Sequence, residues 1–442
     1  MIIAEVFSTK IIVSWLKQTL VYSLWCALSC LLCLIKFPGV VKNLWAEDAT
    51  VGLQMAIEKP FPEDFFDPYT GYLDFQLHLI SNLVSIFPIR FSPYVNFILV
   101  VMIYGFLTKV SFDILKRLGV EKQLAFLVAI TLVASPSVNY EGLGNATNLH
   151  YYGLAVCLLF ILSIDGQRLT IPRLLYFGVI APLSVPLLLP LTLVLLAKWK
   201  KLYSLPRILF FSTLFLLSNF VQFLFVMLNF RDKRGDWLEK AGMAEVSYLA
   251  IHRVVAVNLI PFAGSIVEGD VTADNGNITV PLLSYVIFVI GIYITLVTTL
   301  MIIRFKGNQV IPKLSVVTLF LFALPGFLTV GLIFSPEGRY SVAFSFWFLT
   351  TLVLLIQFTK KPKKLVKGSV FALITLSLLT NSGVESLRSE GPEWRSQAEF
   401  QKAKCLNNSN EEFQIIVLPT KSPWDKIPIK FKIPCEIAIN IY

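Results

Sequence analysis

Charged side chains are scarce in this 442-residue chain: they make up 15% of it, whereas 56% of the residues are hydrophobic and the mean hydropathy is +0.71. That balance excludes an ordinary soluble domain. The chain also lacks a Gly-rich phosphate loop, a zinc-type Cys/His spacing, a Gly-x-Ser-x-Gly elbow and an internal repeat. Its three histidines are scattered along the chain, so they predict no metal site. The composition therefore indicates a membrane protein that carries none of the common soluble-enzyme motifs.

Long apolar runs make up much of the sequence. They predict membrane helices at 18–37, 93–112, 122–136, 150–164, 206–229, 281–303, 314–333, 341–358 and 368–382. Several runs are shorter than the roughly 20 residues that a straight span needs, which indicates tilted or buried helices. We therefore predict that residues 1–382 form an all-α polytopic membrane domain of about 11 helices, some of them short or re-entrant.

Positive charge is concentrated in short loops at the ends of these runs. The net charge is +10, and basic clusters occur at 116–122, 168–173, 198–201, 304–306 and 360–364. Because cytoplasmic loops are rich in Lys and Arg, this pattern predicts a cytoplasmic N-terminus and an extracytoplasmic C-terminus. Membrane topology thus explains the positive net charge, and a nucleic-acid partner is not needed to account for it. The first run follows Lys10 and Lys17 and has no small-residue cleavage site, so we expect a retained signal-anchor.

Residues 171–198 are apolar but carry Lys or Arg near both ends. A single crossing would place those ends on opposite sides of the membrane, against the charge rule. Pro182, Pro186 and Pro190 recur at four-residue spacing, and each removes a helix hydrogen bond. We therefore predict two short half-crossing or re-entrant helices, because broken helices are tolerated where they line a cavity.

The predicted topology leaves polar outer regions at 39–92, 135–150, 230–280 and 335–340. In the first of them, apolar residues from Leu73 to Val84 recur at helical spacing with polar residues between them. This pattern predicts an amphipathic helix that lies on the outer membrane surface.

Residues 383–442 form a small predicted extracytoplasmic tail. Its patterns predict one helix and two strands, at 392–404, 414–418 and 427–433. Cys405 and Cys435 are the only cysteines in it. A disulfide between them suits an oxidising compartment.

Glu47 and Asp48 form an acidic pair just outside the first apolar run. Such a pair is unfavourable close to lipid. One interpretation is that Asp48 only caps a short helix at 49–57, which leaves Glu47 unexplained. The other is that one carboxylate is a general base or orients an acceptor hydroxyl, since each of two adjacent carboxylates raises the proton affinity of the other.

Arg339 directly precedes the run at 341–358, where the positive end of a helix dipole disfavours a cation that has no anion beside it. It either pairs with Glu337 or anchors the interface, or it binds a phosphate through its forked guanidinium. The basic run 231–234 also breaks the charge rule. It contacts either lipid headgroups or a diphosphate or glycan.

His150 and Asn148 lie at the outer mouth of the run that begins near 150, and tyrosines follow them. An interfacial belt of polar and aromatic residues explains such positions, and hydrogen bonding to a sugar ring is the alternative. His78 and His252 also fall in predicted outer regions, with the same two interpretations.

Taken together, these features resemble the bacterial multi-pass glycosyltransferases of the GT-C class, which use polyprenyl-phosphate-linked sugars. The shared layout comprises an acidic pair in a long first outer region, short Pro-bearing helices, a polar loop before a span and an Arg-Tyr before a late span. A set of bacterial membrane proteins of this class also shares the order of short motifs, and it tends to end in a short tail with paired cysteines. The matching motifs here are 45–50, 71–73, 147–150, 338–340 and 391–394.

The resemblance implies a GT-C-like bundle in the bacterial inner membrane and an inverting sugar transfer. A lipid-phosphate sugar would enter from the bilayer, and a cell-envelope glycan, lipopolysaccharide or O-antigen acceptor would approach from the outer side. The implied roles are base for Asp48, with Glu47 second; donor phosphate binding for Arg339, Arg234 and Tyr340; and sugar or acceptor binding for His150, Asn148, Tyr72 and His78. The resemblance fixes no cofactor, and a divalent cation is compatible with the chemistry.

Other classes of membrane protein fit parts of the sequence. A transporter or flippase for lipid-linked saccharides is expected to show repeats and polar residues at mid-membrane. A repeat-unit polymerase is expected to depend on arginines of the outer loops. In a non-catalytic assembly factor, Asp48 would be only a helix cap.

Overall fold

The apolar runs form helices throughout the described part of the chain. The structure is a computed structural model that describes residues 9–59, 61–66, 71–135, 143–164, 169–188, 190–197, 206–229, 243–263, 273–274, 277–278, 282–305, 313–334, 341–358, 364–381, 392–408, 411–417 and 429–441. The α-helices are, in chain order, α1 (Thr9–Lys36), α2 (Gln54–Glu58), α3 (Phe75–Ser85), α4 (Ser92–Arg117), α5 (Lys122–Ala134), α6 (Leu149–Leu162), α7 (Ile171–Leu175), α8 (Leu191–Ala197), α9 (Pro206–Asn229), α10 (Met243–Leu249), α11 (Val257–Leu259), α12 (Leu282–Arg304), α13 (Lys313–Phe334), α14 (Ser341–Phe358), α15 (Lys364–Asn381), α16 (Trp394–Asn407) and α17 (Cys435–Asn440).

Shorter elements complete this description. The π-helices are Asp48–Leu53, Tyr176–Ile180 and Ala250–Ala256, and the 3₁₀ turns are Glu63–Phe66, Ile89–Phe91 and Pro186–Leu188. The strands form two antiparallel hairpins, β1 (Ala273–Asp274) with β2 (Asn277–Ile278) and β3 (Glu412–Ile416) with β4 (Lys430–Pro434).

Among the described residues, six helices are long and apolar enough to cross a membrane. They are Leu16–Lys36, Ile89–Arg117, Pro206–Asn229, Val286–Arg304, Ser341–Phe358 and Lys364–Asn381. Other apolar helices, such as α5 and α6, have only 10–17 residues. The chain is therefore a helical membrane protein.

Helices α6 and α14 lie at the centre of the bundle. Both are apolar on every side, and all of α6 and most of α14 are buried, as expected for helices surrounded by other elements. The indole Nε1 of Trp347 in α14 donates to the Ala155 carbonyl of α6 at 2.8 Å and joins the two helices. In contrast, only 17% of the apolar stretch of α1 is buried inside the protein. Its Leu16, Leu20 and Leu24 are 62–64% exposed, which defines a lipid-facing stripe.

Close packing of α1 on α4 depends on Gly105. A Cβ atom at this position would lie 2.8 Å from the backbone nitrogen and 2.9 Å from the Cα of Cys26 in α1. Small residues permit such close approach between membrane helices.

Residues 171–197 form short helices separated by a break, as the proline spacing predicts. Helix α7 continues into the π-helix Tyr176–Ile180, and α8 begins only at Leu191. The hydroxyl of Ser184, in the break, accepts the Gln76 backbone N–H at 2.9 Å. The break therefore fixes the first turn of α3.

Helix α3 forms as its spacing predicts, but its polar side does not face water. Gln76, His78 and Ser81 on its polar side are as buried as Leu77 and Ile80 on its apolar side. Its polar side chains meet polar groups from other segments instead of water, and the local pattern contains no information about those partners.

A helical segment occupies 243–259, within the predicted outer region 230–280. It comprises α10, the π-helix Ala250–Ala256 and α11, and it packs against α12, α13 and α14. His252, in this segment, is buried. The adjacent polar pair His252 and Arg253 interrupts the apolar run, which is why hydropathy alone does not predict the helix.

The tail contains α16, the β3–β4 hairpin and α17, and a disulfide between Cys405 and Cys435 joins the end of α16 to the start of α17. It packs on the segment that follows α1 and on the turn Ile89–Phe91 before α4. The indole Nε1 of the buried Trp394 donates to the Ile89 carbonyl at 2.7 Å, and the Asn43 amide donates to the Pro392 carbonyl at 2.9 Å. The tail thus contributes directly to the position of residues next to the acidic pair.

Candidate active site

The acidic pair lies in a helical segment at 46–58, which we call the acidic segment. Its centre is the π-helix Asp48–Leu53. This π-helix crosses α3 closely at Gly52, where a Cβ atom would overlap the Ser81 hydroxyl and lie 2.9 Å from Cδ1 of Leu77. Glycine therefore allows the acidic segment and α3 to pack at short range.

Asp48 is buried and its carboxylate accepts four hydrogen bonds. Oδ1 accepts the Thr147 N–H at 2.9 Å and the Thr147 hydroxyl at 2.6 Å. Oδ2 accepts the Ala146 N–H and the Asn96 amide, each at 2.8 Å. The side chain is 3% exposed. One carboxylate thus joins the acidic segment to the 143–148 segment and to α4.

The interpretation of Asp48 as only a helix cap is wrong. Asp48 lies inside the π-helix, and its carboxylate bonds to groups remote in sequence. Burial raises the pKa of the Asp48 carboxyl above its usual value, while the hydrogen bonds that it accepts act in the opposite direction. Because both oxygens already have two donors, proton uptake by Asp48 would break contacts that hold the segment in place.

Glu47 precedes Asp48 on the same helical segment. Glu47 is less buried than Asp48, although its carboxylate oxygen Oε2 is enclosed by protein. The hydrogen bonds of Asp48 to the 143–148 segment fix the backbone from which Glu47 projects.

A second carboxylate meets His150 at the start of α6. Oδ2 of Asp74 lies 3.3 Å from Nδ1 of His150, and both side chains are buried. Asp74 is also the N-cap of α3, because its Oδ1 accepts the Leu77 N–H at 3.2 Å. The Tyr72 ring stands edge-on to the imidazole, with 6.2 Å between centroids. Asp74, Tyr72 and His150 therefore form one buried polar and aromatic cluster.

His78 belongs to a neighbouring cluster on α3. Its Nδ1 lies 3.7 Å from Oδ2 of Asp64, and both side chains are completely buried. The Asn82 amide donates to the same Asp64 oxygen and to the His78 carbonyl. Asn82 also lines an open groove of about 700 Å³ between residues 56–65 and α3, so this cluster reaches the protein surface.

The three histidines do not form part of an interfacial belt of polar and aromatic residues, so that interpretation is wrong. His78, His150 and His252 are 0%, 2% and 4% exposed, so protein rather than the membrane interface surrounds them. Asn148 is equally buried and is the N-cap position of α6. The arrangement thus brings His150, Asn148 and Tyr72 to the same region as the acidic pair, through the 143–148 segment and the start of α6.

Arg339, Tyr340 and Arg234, the predicted donor-phosphate ligands, lie outside the described residues. Within the described part of the chain, no group of three or more His, Cys, Asp or Glu side chains is arranged to hold a metal ion.

The sequence predicts no role for three residues that organise the site: Asn96, Thr147 and Asp74. A usable signal existed for Asn96, because a polar side chain in the apolar run 93–112 indicates a specific partner. Thr147 belongs to the matching motif 147–150, but its role depends on contact with a residue 99 positions away, which a local pattern does not show.

Comparison of the chain with protein-family models, curated proteins and solved structures finds no match.

Proposed function

We propose that this chain is a GT-C-type glycosyltransferase, a hexosyltransferase of the bacterial inner membrane. In this proposal it moves a sugar from a polyprenyl-phosphate donor to an extracytoplasmic glycan or lipid acceptor, such as a cell-envelope glycan, lipopolysaccharide or O-antigen, with inversion. The observation that carries the proposal is the Asp48 carboxylate, which holds the acidic segment against the residues that lead into His150. It supports a site in which a carboxylate and sugar-binding side chains act together.

The reaction requires a group that takes the proton of the acceptor hydroxyl. As the hydroxyl oxygen forms a bond to the anomeric carbon, the bond from that carbon to the phosphate oxygen breaks, and its electron pair leaves with the polyprenyl phosphate. Glu47 suits the role of base better than Asp48, because it is the less buried residue of the two and both Asp48 oxygens are already saturated with donors. We therefore assign the base to Glu47 and a positioning role to Asp48.

The roles proposed for the other site residues are those that the resemblance to GT-C glycosyltransferases implies. His150, Asn148, Tyr72 and His78 are proposed sugar or acceptor contacts. Arg339, Arg234 and Tyr340 are proposed to neutralise the departing phosphate, since arginine forks two hydrogen bonds to phosphoryl oxygens. The proposal places the N-terminus in the cytoplasm and the tail outside, and a divalent cation remains compatible with it.

A complementation experiment tests the proposal. Envelope glycans of cells without this protein are compared by mass spectrometry with those of cells that carry the wild type, Glu47→Gln or the matched control Glu58→Gln. We expect a hexose to be absent without the protein and with Glu47→Gln, because loss of a general base lowers the rate by roughly 10²–10⁴-fold. Glu58 is exposed, and the hydrogen bond that its side chain makes within the described residues joins it to Gln54 one turn away, so its variant should transfer normally.

The outcomes separate the alternatives. Glycans that are unchanged without the protein would remove the proposed function. Sugar transfer at the wild-type rate by Glu47→Gln would remove the proposed base. A lipid-linked saccharide transporter or a repeat-unit polymerase predicts another result: purified protein in detergent would move no single hexose from a polyprenyl phosphate to an acceptor.

A further inference from the structure

The buried pair of Asp74 and His150 has a fixed orientation. Oδ1 of Asp74 accepts the Leu77 N–H as the N-cap of α3, and this contact turns Oδ2 towards Nδ1 of His150 at 3.3 Å. The rings of Tyr72 and Tyr151 lie against the imidazole, with the Tyr151 centroid 4.0 Å away. Both members of the pair are at least 98% buried. The imidazole therefore has little freedom to turn.

Nδ1 of His150 and Oδ2 of Asp74 lie 3.3 Å apart but do not meet hydrogen-bond geometry, and the other imidazole nitrogen, Nε2, is buried and has no hydrogen-bond partner among the described residues. Leaving a buried polar atom without a partner is unfavourable, because the atom loses its hydrogen bonds to water. Such an atom needs an explanation, and binding of a ligand group is one that suits a candidate active site.

We propose that Asp74 is a positioning residue that fixes the tautomer of His150, so that Nε2 accepts a hydrogen bond from a hydroxyl of the bound sugar. A carboxylate can only accept, so the neutral imidazole places its proton on Nδ1, towards Asp74. Nε2 then carries a lone pair and selects a ligand group that donates. The identity of the ligand rests on the proposed function, whereas the tautomer does not.

The substitution Asp74→Asn should reverse this tautomer. Asn is as good an N-cap as Asp, so its carbonyl oxygen keeps the Leu77 N–H and α3 stays intact. Its amino group then faces Nδ1 of His150. Because that group donates, Nδ1 must become the acceptor, and the proton moves to Nε2.

Nitrogen NMR can read the tautomer directly, because the chain has only three histidines. The full-length protein is labelled with ring-¹⁵N histidine in lipid nanodiscs, and His150→Gln assigns the signal. We expect an unprotonated Nε2 in the wild type and a protonated Nε2 in Asp74→Asn. The matched control is Asp64→Asn, which removes the carboxylate beside His78 and should change the His78 signal alone.

The ligand contact is tested on the same samples with citronellyl phosphate that carries glucose, mannose or galactose. We expect one of these donors to shift the His150 Nε2 signal and to bind Asp74→Asn about three- to tenfold more weakly, the value of one hydrogen bond.

A protonated Nε2 in the wild type, or an unchanged tautomer in Asp74→Asn, overturns the positioning role. The expected tautomers without any shift on donor addition overturn the ligand contact. Failure of the proposed function itself would appear separately, as unchanged envelope glycans in cells without the protein.

Discussion

The substitution Asp48→Asn tests how the acidic segment is held. It changes one carboxylate oxygen to an amino group and leaves the size of the side chain unchanged. Oδ1 and Oδ2 each accept one backbone N–H, from Thr147 and Ala146 respectively. Whichever oxygen is replaced, one of these buried N–H groups loses its acceptor and faces another donor.

The expected loss of stability can be worked out from these contacts. An unsatisfied buried donor costs about 1–3 kcal/mol, and the remaining bonds lose their charge assistance, roughly another 1 kcal/mol. Removal of a buried charge offsets part of this loss, because burial disfavours the ionised carboxyl. We therefore expect a net decrease of about 2 kcal/mol in the free energy of unfolding.

Thermal unfolding of the purified protein in detergent, followed by tryptophan fluorescence, measures this loss. A decrease of about 2 kcal/mol should lower the Tm by roughly 2–4 °C in a chain of this length. The control is Glu399→Gln, an exposed glutamate paired with Arg395 on α16, for which surface ion pairs predict less than about 1 kcal/mol. Glu47→Gln should also unfold like the wild type.

One combination of results would refute this reasoning. If Asp48→Asn unfolds at the wild-type temperature and yet transfers no sugar, while Glu47→Gln transfers normally, Asp48 is the base and its hydrogen bonds are not structurally limiting.

Two further predictions concern stability. Gly105→Ala should destabilise the α1–α4 contact by about 1–3 kcal/mol, because the added Cβ meets the Cys26 backbone, and the melting temperature should fall. The control is Gly368→Ala, whose added Cβ has no atom within 4 Å and which should be neutral or stabilising. Replacing both Cys405 and Cys435 with Ser should destabilise the tail by about 2–4 kcal/mol, measured as faster protease cleavage near α16; equal cleavage rates in the variant and the wild type would contradict a stabilising disulfide.

The positions of the long helices could be predicted from the sequence because the membrane imposes a strong local rule. A spanning segment must be apolar and must satisfy its own backbone hydrogen bonds, so hydropathy alone gives bounds such as 206–229 and 341–358. The break at 171–197 was equally predictable, since proline cannot donate the helix hydrogen bond. The helix at 243–259 was not, because polar residues within it mask its burial among other helices.

The sequence by itself determined the class of this protein, a helical membrane protein, and marked Glu47 and Asp48 as an unusual pair. Only the tertiary structure decided that Asp48 is saturated by donors from Asn96, Ala146 and Thr147, and that Asp74 faces His150. The physical reason is that burial of a charge depends on donors that the fold brings from distant positions. A local pattern shows the charge but not the groups that compensate for it.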